Sequence, residues 1–228
     1  MFSWQQLGVR RDSTLIAMCV APGGVSIDWA YMWGNLQKPA LWDVMRLSGL
    51  PWAEARTQAA HQCLNGNYAY LCFLDTDVLC PPDTIPRLMA HRLPIVSGMY
   101  HQRFPTYTGS ELAYLPCMFT EGVGPDGQPV KQPITNFQPG QLVEATFVPS
   151  GCILIHRSVF EQFIQAGMKR IYQWTLHADN PVGGYSEDFF MTKVARDMFG
   201  IRSYVDSSIA CIHEAPGRIT QKGLEVRL

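Results

Sequence analysis

The chain lacks a long apolar run, an excess of charge and a cysteine pair, and each absence removes a class of protein. No stretch approaches the roughly 20 apolar residues a membrane helix needs, and Met1 to Asp12 lacks the apolar core of a signal peptide. The cytoplasm is therefore the expected location. A formal net charge of −1 leaves no electrostatic footprint for nucleic acid or an anionic membrane, although a sum says nothing of local patches. The seven cysteines contain no C-x-x-C spacing, and several sit inside apolar, strand-like runs. They read as buried thiols of a reducing compartment, not as a disulfide framework or a zinc site. Gly23-Gly24 follows an apolar run, but neither G-x-G-x-x-G nor a Walker pattern is present, so the phosphate-loop signal is weak.

What is present is enough for one core. At 228 residues and 47% hydrophobic content, the chain reads as a single domain spanning residues 1–228. Thr14 to Val20 predicts a buried strand, and Ser26 caps a helix running to about Leu36, with Ile27, Tyr31 and Leu36 near one stripe. Leu41 to Leu47 predicts a second strand, Trp52 to Leu64 a helix stopped at Asn65-Gly66, Leu71 to Leu74 a strand and Asp83 to Arg92 a short helix. Pro94 to Gly98 predicts a further strand. This alternation argues for α/β architecture with a mostly parallel sheet and right-handed crossovers.

The pattern changes between Tyr100 and Leu142, where proline and glycine concentrate and no helical period appears. A long irregular insertion is expected there, with a hairpin around Pro125-Asp126-Gly127; such loops commonly act as lids or binding loops. Regular structure resumes with strands at Val143 to Val148 and Cys152 to Ile155, then a helix from Ser158 to Ala166. A last helix starts after Ser186, with Phe190, Val194 and Met198 stacked at helical spacing, and ends at Gly200. Strands at Ile201 to Val205 and Ile209 to Ile212 follow and deliver His213.

Two acidic stretches carry the chemical signal. Asp75-Thr76-Asp77 ends the strand begun at Leu71, where open α/β sheets bind ligands. An extended segment places both carboxylates on one face, and two hard oxygen donors suit Mg²⁺ or Mn²⁺ bridging a diphosphate. The simpler reading is a solvated turn that caps the next helix. Glu187-Asp188 falls in the first turn of the last helix, where acidic residues also serve the macrodipole alone. Arg56, early in its helix, reads as a solvated arginine, with a diphosphate contact as the alternative. Neutral His213 becomes a credible third ligand once the Asp pair is in view.

In their order, these residues resemble a nucleotide-sugar glycosyltransferase of the GT-A fold, family 2-like, from about Leu15 to His213. The resemblance rests on Phe73-Leu74-Asp75-Thr76-Asp77 after a buried strand, Ala55-Arg56, Ser150-Gly151-Cys152-Ile153, Glu187-Asp188 at a helix start, and His213. It implies a Rossmann-like GT-A fold and a bound Mn²⁺ or Mg²⁺ held by Asp77 and His213, with Asp75 on the metal or the nucleotide ribose. It further implies Asp188 as catalytic base and nucleotide-sugar contacts from Ala21, Pro22, Arg56, Asp75, Thr76 and Gly151. Acceptor-side candidates are Glu187, Trp174 and Tyr185. Thr57 departs from the asparagine frequent after that arginine, and the first strand lacks an early acidic residue.

The implied reaction moves the sugar of a nucleoside-diphosphate donor to an acceptor hydroxyl with inversion and releases the nucleoside diphosphate. The acceptor is a glycan, a small molecule or a modified DNA base, since stand-alone transferases of this size decorate phage DNA. Two alternatives stay open. A sugar-nucleotide nucleotidyltransferase calls for a basic glycine-rich loop, and Ala21-Pro22-Gly23-Gly24-Val25 carries no Lys or Arg. A degenerate nucleotide-sugar-binding module has no need for Asp75, Asp77, Asp188 and His213 together.

Overall fold

A computed structural model describes residues 12–20, 24–108, 111–124, 127, 129–177, 180–214, 217–220 and 223–226. The first half alternates strand and helix: β1 (Thr14–Val20), α1 (Ile27–Asn35), β2 (Trp42–Ser48), α2 (Trp52–Asn65) and β3 (Tyr70–Asp75). The short β4 (Val78–Leu79), then α3 (Thr84–Ala90) and β5 (Ile95–Met99), follow. Two hairpins occupy the proline-rich stretch, β6 (Thr106–Thr108) with β7 (Glu111–Ala113), and β8 (Phe119–Val123) with β9 (Pro129–Pro133). Next come β10 (Leu142–Ala145), β11 (Cys152–His156), α4 (Arg157–Gln165), the hairpin β12 (Thr175–His177) with β13 (Asn180–Tyr185), and α5 (Glu187–Phe199). The chain continues through β14 (Ser203–Ala210), β15 (Ile212–Glu214), β16 (Gly217–Thr220) and β17 (Gly223–Val226).

The central sheet has seven strands in the order β10-β14-β5-β11-β3-β1-β2. Strands β2, β1 and β3 run parallel, as do β5 and β14. The expected mostly parallel, Rossmann-like α/β sheet is present with one amendment. β11 lies antiparallel to both β3 and β5 at the sheet centre, and β10 is antiparallel at one edge. The apolar run of β11 specifies burial on both faces, and that pattern is the same for either strand direction.

Alternation along β3 divides the core into two layers. Leu71 and Phe73 face the side covered by α2, α4 and α5, and Cys72 and Leu74 face α1 and α3. Each fully buried residue of this size stabilises the fold by about 1.5–3 kcal/mol. Helix α2 carries only small residues on its inner face, Ala55, Ala59, Ala60 and Cys63, beside Arg56. Their size allows the helix axis to approach the sheet, and that close approach brings Arg56 to the end of β3.

One helix face differs from the expected one. In α1 the buried side chains are Trp29 and Met32, whereas Ile27 and Tyr31 are exposed. In α5 the buried residues are Glu187, Met191, Thr192 and Ala195; of the residues stacked at helical spacing, Val194 packs against the core and Met198 points to solvent. In α1 a second apolar stripe competes with the buried one, and burial of Trp29 goes with the observed rotation; in α5 the pairing of Glu187 with Arg56 goes with an inward-facing first turn. The break expected at Asp206-Ser207-Ser208 is instead a register shift within one strand, β14, against β5. The hairpin of β8 and β9 forms as expected; Pro125 and Asp126 at its turn lie outside the described residues.

Candidate active site

The cleft opens at the carboxyl end of β3. It has a volume of about 450 Å³ and is lined by residues including Arg56, Asp75, Thr76, Asp77, Arg103 and Asp188. Two hydrogen bonds fix the strand end: Asp75 N–H donates to the Gly151 carbonyl at 2.9 Å, and Trp29 Nε1–H donates to the Asp75 carbonyl at 3.0 Å. Gly151 itself is buried under the cleft. A Cβ there would lie 2.5 Å from Tyr100 Oη, and the Gly151 N–H donates to that oxygen at 2.8 Å. Only glycine fits so close to the ring, so its observed role is to seat Asp75. Thr76 is buried and donates to the Cys19 carbonyl at 3.3 Å.

Arg56 is not solvated; it is 4% exposed. Its Nη2 donates to Asp75 Oδ1 and Oδ2 at 3.0 and 2.9 Å, its Nε to Glu187 Oε1 at 3.2 Å, and its Nη1 to the Ser150 carbonyl at 3.3 Å. The guanidinium also lies 5.1 Å from the Phe73 ring centre. One side chain thus ties α2 to the end of β3, the start of α5 and the approach to β11. Burial pushes the Asp75 carboxyl up to about 6, with Arg56 pulling down and Asp77 adding to the rise. Glu187, an acceptor-side candidate from the sequence, spends its carboxylate on Arg56 at 6% side-chain exposure. Cys19 also lines the cleft, and burial pushes its thiol up to about 12, which makes it a neutral wall.

Asp77 sits in a different setting. β4, which follows it, pairs with β15 and places His213 opposite Val78. The Glu214 N–H donates to the Asp77 carbonyl at 2.7 Å. His213 Nδ1 lies 2.8 Å from the His101 carbonyl. A carbonyl only accepts, so Nδ1 carries a proton and Nε2 is the nitrogen turned toward Asp77. That Nε2 is 3.6 Å from Asp77 Oδ2. Burial pushes the Asp77 carboxyl up, but the neighbouring His213 and Arg103 outweigh it and hold the group below the usual range. Arg103 Nη2 pairs with Asp77 Oδ2.

Asp188 completes the arrangement from the first turn of α5. Its Oδ2 accepts from the Ser150 N–H at 3.3 Å, and its Oδ1 accepts from the Phe189 N–H at 2.9 Å and from the Ser186 hydroxyl. Ser186 occupies the expected capping position, but its side chain orients Asp188 and makes no cap hydrogen bond. Trp174 lines the cleft and is 61% exposed. Tyr185 stacks on Phe147, ring centres 5.2 Å apart, and is not among the cleft-lining residues. Ala21 and Pro22 lie outside the described residues.

The sequence reading missed Arg103. It lies in the aperiodic stretch after β5, and its position beyond a strand's carboxyl end is the one signal that pointed to it. The donor set at Asp77 and His213, one carboxylate oxygen beside one imidazole nitrogen, fits a divalent ion. Imidazole ligands commonly donate their other ring N–H to a carbonyl in this way.

No protein-family model matches the chain, and no curated protein does. Among solved structures, A197 from STIV superposes with a TM-score of 0.59 over 95% of each chain at 16% identity, and so shares the fold. UDP-glucose pyrophosphorylase in its apo form gives a TM-score of 0.40 at 8% identity, over 88% of this chain and 76% of that one. Mannose-1-phosphate geranyltransferase from Thermus thermophilus gives 0.42 at 10% identity, over 88% and 75%. The last two superpose too loosely to bear on function.

Proposed function

We propose that the protein is a metal-dependent, inverting glycosyltransferase that moves a sugar from a nucleoside diphosphate to an acceptor hydroxyl. The observation that carries this reading is the shared cleft: Asp77, in contact with His213, lines the same cavity as Asp188. Asp77 and His213 Nε2 are the residues to hold Mn²⁺ or Mg²⁺, while Asp75, engaged by Arg56, sets the strand end and faces the ribose. When bound, the ion supplies Lewis-acid stabilisation of charge on the departing diphosphate.

The chain's own groups do the rest. Arg103 is 40% exposed at its side chain, free enough to leave Asp77 and follow the diphosphate oxygens, which an arginine fork matches well. Asp188 accepts the proton of the acceptor hydroxyl as that oxygen attacks the anomeric carbon. Its hydrogen bonds fix the carboxylate's direction in advance of substrate. Trp174 offers an exposed aromatic face for a sugar ring or base. The acceptor is a glycan, a small molecule or a modified DNA base.

Incubation with Mn²⁺ and UDP-, GDP-, CDP- and dTDP-sugars, followed by assay of released nucleoside diphosphate, tests the reading. Slow release from one donor class, abolished in Asp188→Asn while that donor still binds, is the expected result. Release of pyrophosphate from a nucleoside triphosphate and a sugar 1-phosphate would reassign the protein to nucleotidyl transfer. Absence of turnover with every donor would leave no support for an enzyme.

A further inference from the structure

Three thiols that the sequence scatters meet under the cleft. Cys80 follows β4, Cys152 begins β11 and Cys211 lies between β14 and β15. They are 6%, 0% and 2% exposed. Cys80 Sγ is 3.5 Å from Cys152 Sγ, and all three sulfurs lie within 4.8 Å of one another. Gly98 leaves the room for them: a Cβ there would sit 3.1 Å from both Cys152 Sγ and Cys211 Sγ. Among the described residues no His, Asp or Glu joins the group.

We propose that Cys80, Cys152 and Cys211 form a binding site for one soft, low-coordinate d¹⁰ ion of the cuprous class. Metal–sulfur bonds of about 2.3 Å in a plane put three sulfurs about 4 Å apart, a spacing compatible with sulfurs that all lie within 4.8 Å of one another. Sulfur donors alone select thiophilic ions. Zinc sites of structural type close with four ligands, whereas a three-coordinate sulfur set suits a monovalent d¹⁰ ion. Binding converts thiol to thiolate and releases the protons to solvent, with no change in oxidation state. The ion ties together three segments that each carry part of the cleft: Cys80 lies three residues after Asp77, Cys152 directly follows Gly151, and Cys211 lies two residues before His213.

Anaerobic titration of the full chain with Cu⁺ against a chromogenic chelator, and X-ray absorption of the product, test this. The expected result is one equivalent retained per chain, three sulfur scatterers around copper and a higher melting temperature. Asp77→Asn and Cys117→Ser should leave this unchanged; Cys117 is the thiol outside the buried set. Cys152→Ser and, separately, Cys211→Ser should each lower retention at least tenfold. Circular dichroism identifies a variant that fails to fold, and the wild-type coordination number then decides alone. Retention below one equivalent, fewer than three sulfurs, or loss of binding in Cys117→Ser overturns the proposal.

Discussion

Asp75 and Asp77 are separated by one residue and occupy opposite environments. Asp75 is paired with an arginine whose side chain is 5% exposed, and Asp77 with one that is 40% exposed. The Arg56 side gains rigidity, because removing either partner strands a buried charge. The Arg103 side gains little stability, because exposed ion pairs are worth about 0–1 kcal/mol, and its carboxylate is therefore available to a ligand. In this chain the two carboxylates of Asp-x-Asp thus differ in partner, one held by a buried arginine and one by an exposed arginine.

The largest effect should come from breaking the buried half. Arg56→Met leaves Asp75 and Glu187 without their shared cation and should cost about 3–5 kcal/mol, a fall in melting temperature on the order of 10 °C. Denaturant unfolding measures this; unchanged stability would mean Arg56 is no lock. Next, Asp77→Asn should alter the stability of the free protein by no more than about 1 kcal/mol. The same change should abolish a metal-dependent nucleotide stabilisation of about 2.7 kcal/mol at a hundredfold excess over Kd.

Carboxyl NMR sharpens the comparison by pH. Asp75 should titrate at about 6, and Asp77 below the ordinary carboxylate value of about 3.9. Between those limits the folded state holds the Asp75 proton more tightly than the unfolded chain. The contribution of Asp75 to stability therefore falls as pH rises from about 4 to about 6. Asp77 has the opposite sign: its contribution is present above the unfolded value and is lost as pH falls through its folded one. The smallest effect belongs to Arg103→Ala. It should change stability by less than about 1 kcal/mol and tighten Mn²⁺ binding roughly two- to fivefold without nucleotide, read by electron paramagnetic resonance of free Mn²⁺.

Much of this was legible in the sequence, and for definite reasons. Period-two alternation and unbroken apolar runs located β1, β3, β5 and β11, and Gly66 and Gly200 marked the ends of α2 and α5. Strand direction was not legible, because β11 is apolar on both faces whichever way it runs. Helix rotation was not legible where a helix had two apolar stripes, as in α1. The gathering of Asp77 and His213 was suggested by the resemblance, and the pairing of β4 with β15 accounts for it. The burial of Arg56 was not, because nothing local distinguishes an arginine beside small alanines from a solvated one. Cys80, Cys152 and Cys211 are far apart in sequence, and only the pairing of β4 with β15 and of β11 with β3 and β5 brings them together.

The most direct test is the melting temperature of wild type and Asp77→Asn with UDP, GDP, CDP and dTDP, each with Mn²⁺ or with chelator. One nucleotide should stabilise the wild type only when Mn²⁺ is present, and Asp77→Asn should lose the shift. Absence of a metal-dependent shift with all four nucleotides would contradict the proposed site and return Asp75-Thr76-Asp77 to the role of a turn.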